Sequence, residues 1–156
     1  KKEVMLQKGY DAVCYCDILG HARQKRNTFW HKVYKHLQGI VLYRPTRVYD
    51  YRKQYKELVG DIDKDDDVIP QIVPQWDHSP RGGRKTIIYT HSTPEYFAKH
   101  VRMAMEAIKG KKEEHQILML KSWNEWAEGN YMEPDMTHGR GYINALRQVV
   151  DEYKKR

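Results

Sequence analysis

The stretch QILMLKSWNEWAEGNYMEPD, from Gln116 to Asp135, joins a short apolar run to a loop rich in acids and aromatic rings. The apolar run, Gln116 to Trp123, predicts a β-strand. The loop then brings Trp, Tyr, Glu and Asp side chains together within a basic chain. Two interpretations compete. The acids belong to a solvated loop whose Trp residues fill core gaps, or they form a site that performs acid/base chemistry on a polar ring-shaped ligand.

The step from a short apolar run to a helical pattern occurs four times along the chain. The predicted strands are Tyr10 to Leu19, Gly39 to Pro45, Asp67 to Asp77 and Gln116 to Trp123. Helical patterns follow them at residues 27–38, 48–60, 92–110 and 140–156. Alternating strands and helices predict the α/β class with a parallel sheet. Four such β/α units form either a small open sheet or half of an eight-unit barrel.

Helix caps and buried faces follow from the same patterns. Asp50 is the expected N-cap of the second helix, and Thr93 caps the third helix with Pro94 at its first position. The predicted buried positions are Tyr51, Tyr55 and Leu58 in the second helix, Phe97, Val101, Ala104, Met105 and Ile108 in the third, and Ile143, Leu146, Val149, Val150 and Tyr153 in the last. We interpret His31, His36 and His100 as helix-surface residues. Pro70 and Pro74 make the third strand irregular, because proline cannot donate to a β-ladder.

Length and composition indicate one globular domain over residues 1–156, of which 40% are hydrophobic. The chain begins KKEV without a Met, so we expect it to be part of a longer protein. No apolar stretch reaches the roughly 18–20 residues of a membrane span, and no signal peptide is recognisable. The net charge of +7 comes from Lys and Arg scattered over predicted helix surfaces and ends. We therefore expect solvated surface rather than a nucleic-acid footprint, and no membrane span.

Cysteines and acidic runs suggest neither a metal nor a cofactor. Cys14 and Cys16 fall on one face of the first predicted strand, where they are poor disulfide partners. We interpret them as buried reduced thiols of a cytoplasmic protein. The run DIDKDDD, Asp61 to Asp67, resembles the start of an EF-hand loop. However, Asp66 replaces the required Gly and Ile72 the required Glu, so we interpret the run as a solvated acidic linker.

The loops after the third and fourth predicted strands carry the polar and aromatic residues. In parallel α/β folds, ligands bind at the carboxyl ends of the strands. The third strand ends in PQWDHSPRGGRK, which supplies Trp76, Asp77 and Arg81. Asp77 is suited to a sugar hydroxyl and Arg81 to a phosphate or carboxylate, with a structural Asp77–Arg81 pair as the alternative. His78 and His138 are further candidates for ligand contact.

Glycosyl chemistry requires one carboxyl group that protonates a leaving oxygen and a second that acts as base or nucleophile. The block NEWAEG supplies Glu125 and Glu128 at a spacing of three, with Gly129 as a turn residue. Its neighbours Trp123, Asn124, Trp126 and Tyr131 offer stacking faces and a neutral hydrogen-bond partner for a sugar ring. An exposed turn with two glutamates remains the alternative. Glu133 and Asp135 are either additional ligand contacts or caps of the next helix.

The blocks WNEWAEGNYMEPD and GRGYINAL resemble the signature of the WbsX-type glycosyltransferase family, which is similar to glycoside hydrolase family 99. The segments KGYDAV, VYDY, PQWDHSPR and STPEYF also resemble blocks of that family, in the same order, so that the resemblance covers roughly Gly9 to Tyr153. It implies an eight-unit (β/α) barrel of the TIM type. This chain then supplies the C-terminal half of the barrel, without the N-terminal half.

The resemblance also assigns roles to individual residues. In the related hydrolases, two glutamates of an N-E-W-x-E-G block carry catalysis, and they correspond here to Glu125 and Glu128. The first assists attack by the sugar's own 2-hydroxyl, and the second is the general acid/base. Ala127 stands where the hydrolases commonly have His, a departure that leaves the carboxylates intact but leaves substrate identity open.

The sequence thus favours a glycan-active enzyme that uses a Glu acid/base pair, most simply a glycosyltransferase of bacterial surface polysaccharide biosynthesis. An endo-acting glycoside hydrolase and a catalytically silent carbohydrate-binding barrel are the alternatives. The expected partners are a carbohydrate substrate and the N-terminal half-barrel that this chain does not supply. The sequence leaves open whether the glycosyl donor is a nucleotide-sugar or a lipid-linked glycan.

Overall fold

A computed structural model describes residues 2–15, 33, 36, 37, 47–83 and 86–155. Its helices are α1 (Lys2–Gln7), α2 (Tyr51–Gln54), α3 (Ser79–Gly82), α4 (Pro94–Ile108) and α5 (Gly141–Lys154). Its strands are β1 (Val13–Cys14), β2 (Arg47–Asp50), β3 (Val68–Ile69), β4 (Gln71–Ile72), β5 (Ile87–Thr90), β6 (Met119–Leu120), β7 (Asn124–Glu125) and β8 (Asn130–Tyr131). Turns of 3₁₀-helix cover Tyr55–Glu57, Asp61–Lys64, Glu113–His115 and Trp126–Glu128.

Strand pairing confirms the α/β class. The pairs β1–β3, β2–β5 and β4–β6 are parallel, whereas β7 and β8 form an antiparallel hairpin. Parallel strands need a crossover connection, and α4 lies in the chain between the paired strands β4 and β6. The arrangement of these pairs as half of an eight-unit barrel stays a prediction, as does the single domain over residues 1–156.

The third predicted strand, Asp67 to Asp77, is divided at Pro70 into β3 and β4. Pro70 has no backbone N–H to donate, but its carbonyl oxygen accepts a hydrogen bond from Met119 N–H at 2.9 Å. The interruption therefore separates a segment paired with β1 from a segment paired with β6. The fourth predicted strand is shorter than expected and keeps only Met119–Leu120.

Two strands differ from the predicted order. Arg47–Asp50 is β2, although Val48 to Asp50 were assigned from sequence to the second helical pattern. Ile87–Thr90, missed from sequence, is β5. The two strands pair in register from Arg47 with Ile87 to Asp50 with Thr90. The predicted strand Gly39 to Pro45 lies outside the described residues. The same is true of most of the helix predicted at 27–38, although Val33, His36 and Leu37 are helical.

The second helix is short because it starts only after β2 ends. Asp50 is its N-cap, as predicted, and its carboxylate accepts a hydrogen bond from Arg52 N–H at 3.1 Å. The α-helix covers Tyr51–Gln54 and continues as the 3₁₀ turn Tyr55–Glu57. Tyr51 and Tyr55 are buried on the predicted face, with Leu58 packed beside them.

Helix α4 matches its prediction. Thr93 caps it by accepting a hydrogen bond from Tyr96 N–H, and Pro94 is its first residue. Phe97, Val101 and Ala104 are wholly buried, and they pack against Tyr142 and Val149 of α5. The face of α5 is rotated relative to the prediction, because Tyr142 and Ala145 are buried more deeply than Ile143, Leu146, Val150 and Tyr153.

His100 corrects the interpretation of the histidines as surface residues. Its side chain is fully buried on α4, and Nδ1 lies 3.1 Å from the Tyr51 hydroxyl, which also donates to the Val73 carbonyl oxygen at 2.5 Å. Burial lowers the pKa of His100 to about 4. His100 thereby connects α4 to a second core cluster, which contains Tyr49, Tyr51, Tyr55, Val73, Trp76, Ile87 and Tyr89.

The acidic segment Asp61 to Asp67 is more ordered than a solvated linker. Asp63 is buried in the turn Asp61–Lys64, where its carboxylate accepts a hydrogen bond from Gly60 N–H at 2.7 Å. Lys2 of α1 pairs with Asp65 and Asp67, each at 2.8 Å. Cys14 in β1 is half-buried, whereas Cys16 lies outside the described residues. None of the helices in the described ranges is long and apolar enough to cross a membrane.

Candidate active site

The two polar loops predicted from sequence meet in the structure. One carries Asp77 into α3, and the other forms the hairpin β7–β8 around the 3₁₀ turn Trp126–Glu128. The backbone N–H of Asp77 donates to the Glu128 carbonyl oxygen at 2.8 Å. Asn130 is fully buried, and its side-chain amide donates to the Gln75 carbonyl oxygen at 2.6 Å. These bonds fix the hairpin β7–β8 against the segment Gln75 to Asp77, which follows β4.

Gly129 permits this contact between the loops. Its φ of +53° lies in the left-handed region, which residues with a Cβ atom rarely adopt. A Cβ atom at position 129 would also lie 3.0 Å from both the backbone N and the Cβ of Asp77. The sequence NEWAEG therefore needs its glycine for two reasons, namely the tight turn and the close approach of the neighbouring loop.

Glu125 and Glu128 converge on one guanidinium group. Arg81 Nη1 lies 3.2 Å from Glu128 Oε1, and Arg81 Nη2 lies 3.6 Å from Glu125 Oε1. The distance between the two carboxyl groups is therefore below about 9.5 Å, the largest separation of the paired acids in glycosidases. Glu128 is the better shielded, with its side chain 20% exposed against 38% for Glu125.

His78 adds a second nitrogen to Glu128. Its Nε2 lies 3.3 Å from Glu128 Oε1, the same oxygen that faces Arg81. Asp77 positions the helix that carries Arg81, since its carboxylate accepts a hydrogen bond from Ser79 N–H at 2.9 Å as α3 begins. The alternative of an Asp77–Arg81 pair is not observed among the described residues. Asp77 instead orients the short helix that carries Arg81.

The predicted aromatic residues divide into two groups. Trp76 is buried in the tyrosine-rich core cluster, only 7% exposed, with Lys121 Nζ 5.6 Å from its ring centroid. Trp123 and Trp126 are about half exposed, at 49% and 48%. Trp76 thus fills the core, whereas the first of the two interpretations expects this of Trp123 and Trp126. Trp123 and Trp126 instead leave ring surface accessible beside the glutamates.

Trp126 is held in a fixed orientation. Its ring stacks on Tyr131 with centroids 3.7 Å apart and an interplanar angle of 14°. Its indole N–H donates to Glu133 Oε2 at 2.6 Å. Glu133 thereby supports an aromatic residue. Burial, followed by the nearby charge of Asp135, raises the pKa of the Tyr131 phenol, which keeps this partner of the stack neutral.

The remaining candidates lie at the edge of the site. Asn124 is exposed in β7, opposite Tyr131 in the hairpin register. Asp135 accepts hydrogen bonds from the backbone N–H groups of Thr137 and His138, and it therefore caps a turn before α5. The ring of His138 packs edge-on against Tyr142, with centroids 5.5 Å apart. In the described part of the chain, no group of three or more His, Cys, Asp or Glu side chains is arranged to hold a metal ion.

A cavity of about 490 Å³ lies where the two loops meet the end of β5. Trp76, Asp77, Trp126, Gly129 and Tyr131, which sequence patterns indicated, contribute to its wall. Among the other lining residues, Tyr89, His91 and Ser92 were missed because β5 was not predicted. The signal was present in TIIYTHS, a β-branched and aromatic run followed at once by polar residues.

Comparison with known proteins identifies related sequences. The model of the family described as glycosyltransferase WbsX matches residues 1–146. An uncharacterized protein WxcX of Xanthomonas campestris pv. campestris strain B100 is 30% identical over 104 residues, which is 66% of this chain and 15% of the relative. The WxcX protein of a second strain is 31% identical over 101 residues, which is 62% of this chain and 14% of the relative. No solved structure matches the chain.

Proposed function

The chain belongs to the WbsX glycosyltransferase family, and on that premise we propose that the protein transfers glycosyl groups in the biosynthesis of a bacterial surface polysaccharide. One observation carries the proposal: Glu125 and Glu128, the paired acids of the NEWAEG block, face the same guanidinium of Arg81. The chain spans about a seventh of the curated relatives that it matches, at 15% and 14% of their lengths. The reaction proposed here therefore concerns the site that this segment contributes.

In the proposed reaction, Glu128 protonates the glycosidic oxygen of the leaving group and later removes a proton from the acceptor. Glu128 suits this role because it is the more shielded of the two carboxyl groups. Glu125 faces the reacting ring and assists the displacement at the anomeric carbon. Arg81 keeps the two carboxyl groups at a fixed separation, which the geometry of glycosyl transfer requires.

The substrate-binding residues that we propose surround this pair. Trp126, fixed by Tyr131 and Glu133, offers an exposed ring face on which the apolar C–H face of a sugar can stack. Trp123 offers a second exposed ring, and Asn124 an amide at the hairpin edge. Asp77 and Trp76 belong to the cavity wall. We further propose that the reaction takes place in the cytoplasm, with a nucleotide-sugar or a lipid-linked glycan as donor.

The test compares the Glu125→Gln and Glu128→Gln variants with the wild-type protein. Each substitution keeps the shape of the side chain and removes its acid/base function. Glu114→Gln is the matched control, because Glu114 is exposed and does not line the cavity at the site. The assays measure nucleotide release from sugar-nucleotide donors, glycosyl transfer from lipid-linked glycans, and the release of reducing ends from oligosaccharides.

We expect transfer to the acceptor in the wild type and in the control, and a loss of about 10² to 10⁴ in rate in the two site variants. Reducing ends released by wild type, with all donors untouched, would instead indicate a hydrolase. Glycan binding without turnover, unchanged in both variants, would contradict an enzymatic role and indicate a carbohydrate-binding domain.

A further inference from the structure

His91 has an unusual backbone conformation at the end of β5. Its φ is +57°, the single positive value among the non-glycine residues that the structure describes. A residue with a Cβ atom adopts this region at a cost in free energy that Gly does not bear, and such residues concentrate at ligand-binding positions. The position of this side chain therefore calls for a functional explanation, since the turn itself would form more easily with Gly or Asn.

The side chain of His91 is oriented by an acid from the neighbouring strand. Because Asp50 and Thr90 are paired in the register of β2 and β5, Asp50 and His91 meet at the carboxyl ends of two parallel strands. His91 Nδ1 lies 3.5 Å from Asp50 Oδ1, and Asp50 is itself held by two contacts with Arg52 Nε at 2.9 and 3.0 Å. With Nδ1 directed at Asp50, Nε2 on the opposite side of the ring remains available to a ligand.

The surroundings of His91 are those of a binding site. His91 and Ser92 both line the cavity of about 490 Å³, a size typical of small-molecule sites, which span roughly 300 to 1,000 Å³. Ser92 Oγ is buried and has no hydrogen-bond partner among the described residues. Such a group costs free energy unless a ligand or a water molecule satisfies it. The Trp126–Tyr131 stack contributes an aromatic surface to the same cavity.

We propose that this cavity is a separate subsite for one pyranose unit, with His91 and Ser92 as its hydroxyl-binding residues. The aromatic surface would pack against the C–H face of the ring, while Nε2 of His91 and Oγ of Ser92 bind its hydroxyl groups. The subsite rests on the proposed glycan function and adds to it a second sugar unit beside the reacting one. The backbone hydrogen bond between Asp77, in the cavity wall, and Glu128 connects the two positions.

The test measures binding rather than turnover. Saturation-transfer NMR is recorded with methyl glycosides of glucose, galactose, mannose and glucuronic acid as probes, on the wild type and on the His91→Asn and Ser92→Ala variants. Asn adopts positive φ readily, so His91→Asn removes the imidazole without straining the turn. His115→Asn is the matched control, because His115 faces Asp66 at 3.7 Å in a His–Asp pair that does not line the cavity.

We expect at least one glycoside to bind the wild type and the control, and its affinity to fall about tenfold in each subsite variant, as the loss of one hydrogen bond predicts. Thermal midpoints should stay within about 2 °C of the wild type. Three results would overturn the subsite: no glycoside binds the wild type, the variants bind as the wild type does, or weaker binding accompanies a lower melting temperature.

Glu128→Gln in the same binding assay separates this proposal from the catalytic one. Retained binding that still depends on His91 supports the subsite whether or not the glutamates carry catalysis. Turnover by the wild type, combined with unchanged glycoside binding in His91→Asn, rejects the subsite and leaves the proposed function intact.

Discussion

Replacing Gly129 by Ala tests whether the close contact between the two loops positions the glutamates. The added methyl group would meet the backbone N and the Cβ of Asp77, each 3.0 Å away, so the turn Trp126–Glu128 must move outward. That movement weakens the hydrogen bond from Asp77 N–H to the Glu128 carbonyl oxygen, now 2.8 Å long. The bond contributes roughly 0.5 to 1.5 kcal/mol to the free energy of unfolding.

Gly139 provides the matched control for this substitution. Its φ of +52° is nearly identical, but a Cβ atom there would have no neighbour within 4 Å. Gly139→Ala therefore carries only the cost of the left-handed conformation, about 1 to 2 kcal/mol, partly offset by about 0.4 to 1 kcal/mol from the less flexible unfolded chain. Gly129→Ala should destabilise the protein by about 1 kcal/mol more than Gly139→Ala.

The measurement combines thermal and urea unfolding of both variants with the transfer assay. We expect the midpoint of thermal unfolding to be about 2 to 4 °C lower for Gly129→Ala than for Gly139→Ala. We also expect a rate loss of about 10- to 100-fold that is specific to position 129, because small displacements of a catalytic group are costly. Equal destabilisation of the two variants, or wild-type activity in Gly129→Ala, would refute the argument that the loop contact positions Glu128.

Three further predictions concern charge, pH and packing. Arg81→Gln should lower the transfer rate about 2- to 30-fold, since it removes two ion pairs of roughly 0.2 to 1 kcal/mol each at a half-exposed site. The free energy of unfolding should fall by no more than about 2 kcal/mol for the same reason, and a larger loss of stability would contradict a positioning role. Burial lowers the pKa of His100 to about 4, so the unfolded chain takes up a proton on this side chain before the folded protein does. The free energy of unfolding should therefore be unaffected by protonation of His100 above pH 6.5 and fall by about 3 kcal/mol as the pH drops towards 4. Urea titrations from pH 7 to pH 4 should show this loss in the wild type and not in His100→Phe. Met132→Ala, at a wholly buried position directly after β8, should cost about 2 to 5 kcal/mol in urea unfolding, and a cost below that range would indicate a poorly packed core.

Sequence patterns predicted helix α4 well because all of its local signals agree. Thr93 and Pro94 mark its start, and the apolar spacing marks its buried face, so that tertiary contacts need only confirm the pattern. The patterns failed at β2 and β5, whose pairing depends on contacts between residues distant in the chain. Asp50 was correctly predicted as a cap because capping is local, although the helix it caps is much shorter than predicted.

The candidate site divides along the same line. Spacing and residue type were enough to single out Glu125, Glu128 and Arg81, and the structure brings all three together. The roles of other residues at the site could not be predicted from sequence. Asp135 was assigned two alternative roles from sequence, and only the backbone geometry identifies it as a turn cap. His91 was not recognised, because its importance depends on a positive φ and on an acid 41 positions earlier in the chain.

The geometry of the site depends on both core clusters at once. Ile72 packs with α4 and α5, whereas Val73, the next residue, packs in the tyrosine-rich cluster; the segment after β4 therefore joins the two. Trp76 extends the tyrosine-rich cluster towards Arg81, and Met132 anchors the hairpin of the glutamates in the other cluster. Since the ion pairs of Arg81 bridge these two anchored loops, a change in the packing of either cluster alters the distance between guanidinium and carboxylate. The rigidity that glycosyl transfer requires is thus supplied by two buried clusters, and the exposed ion pairs only complete it.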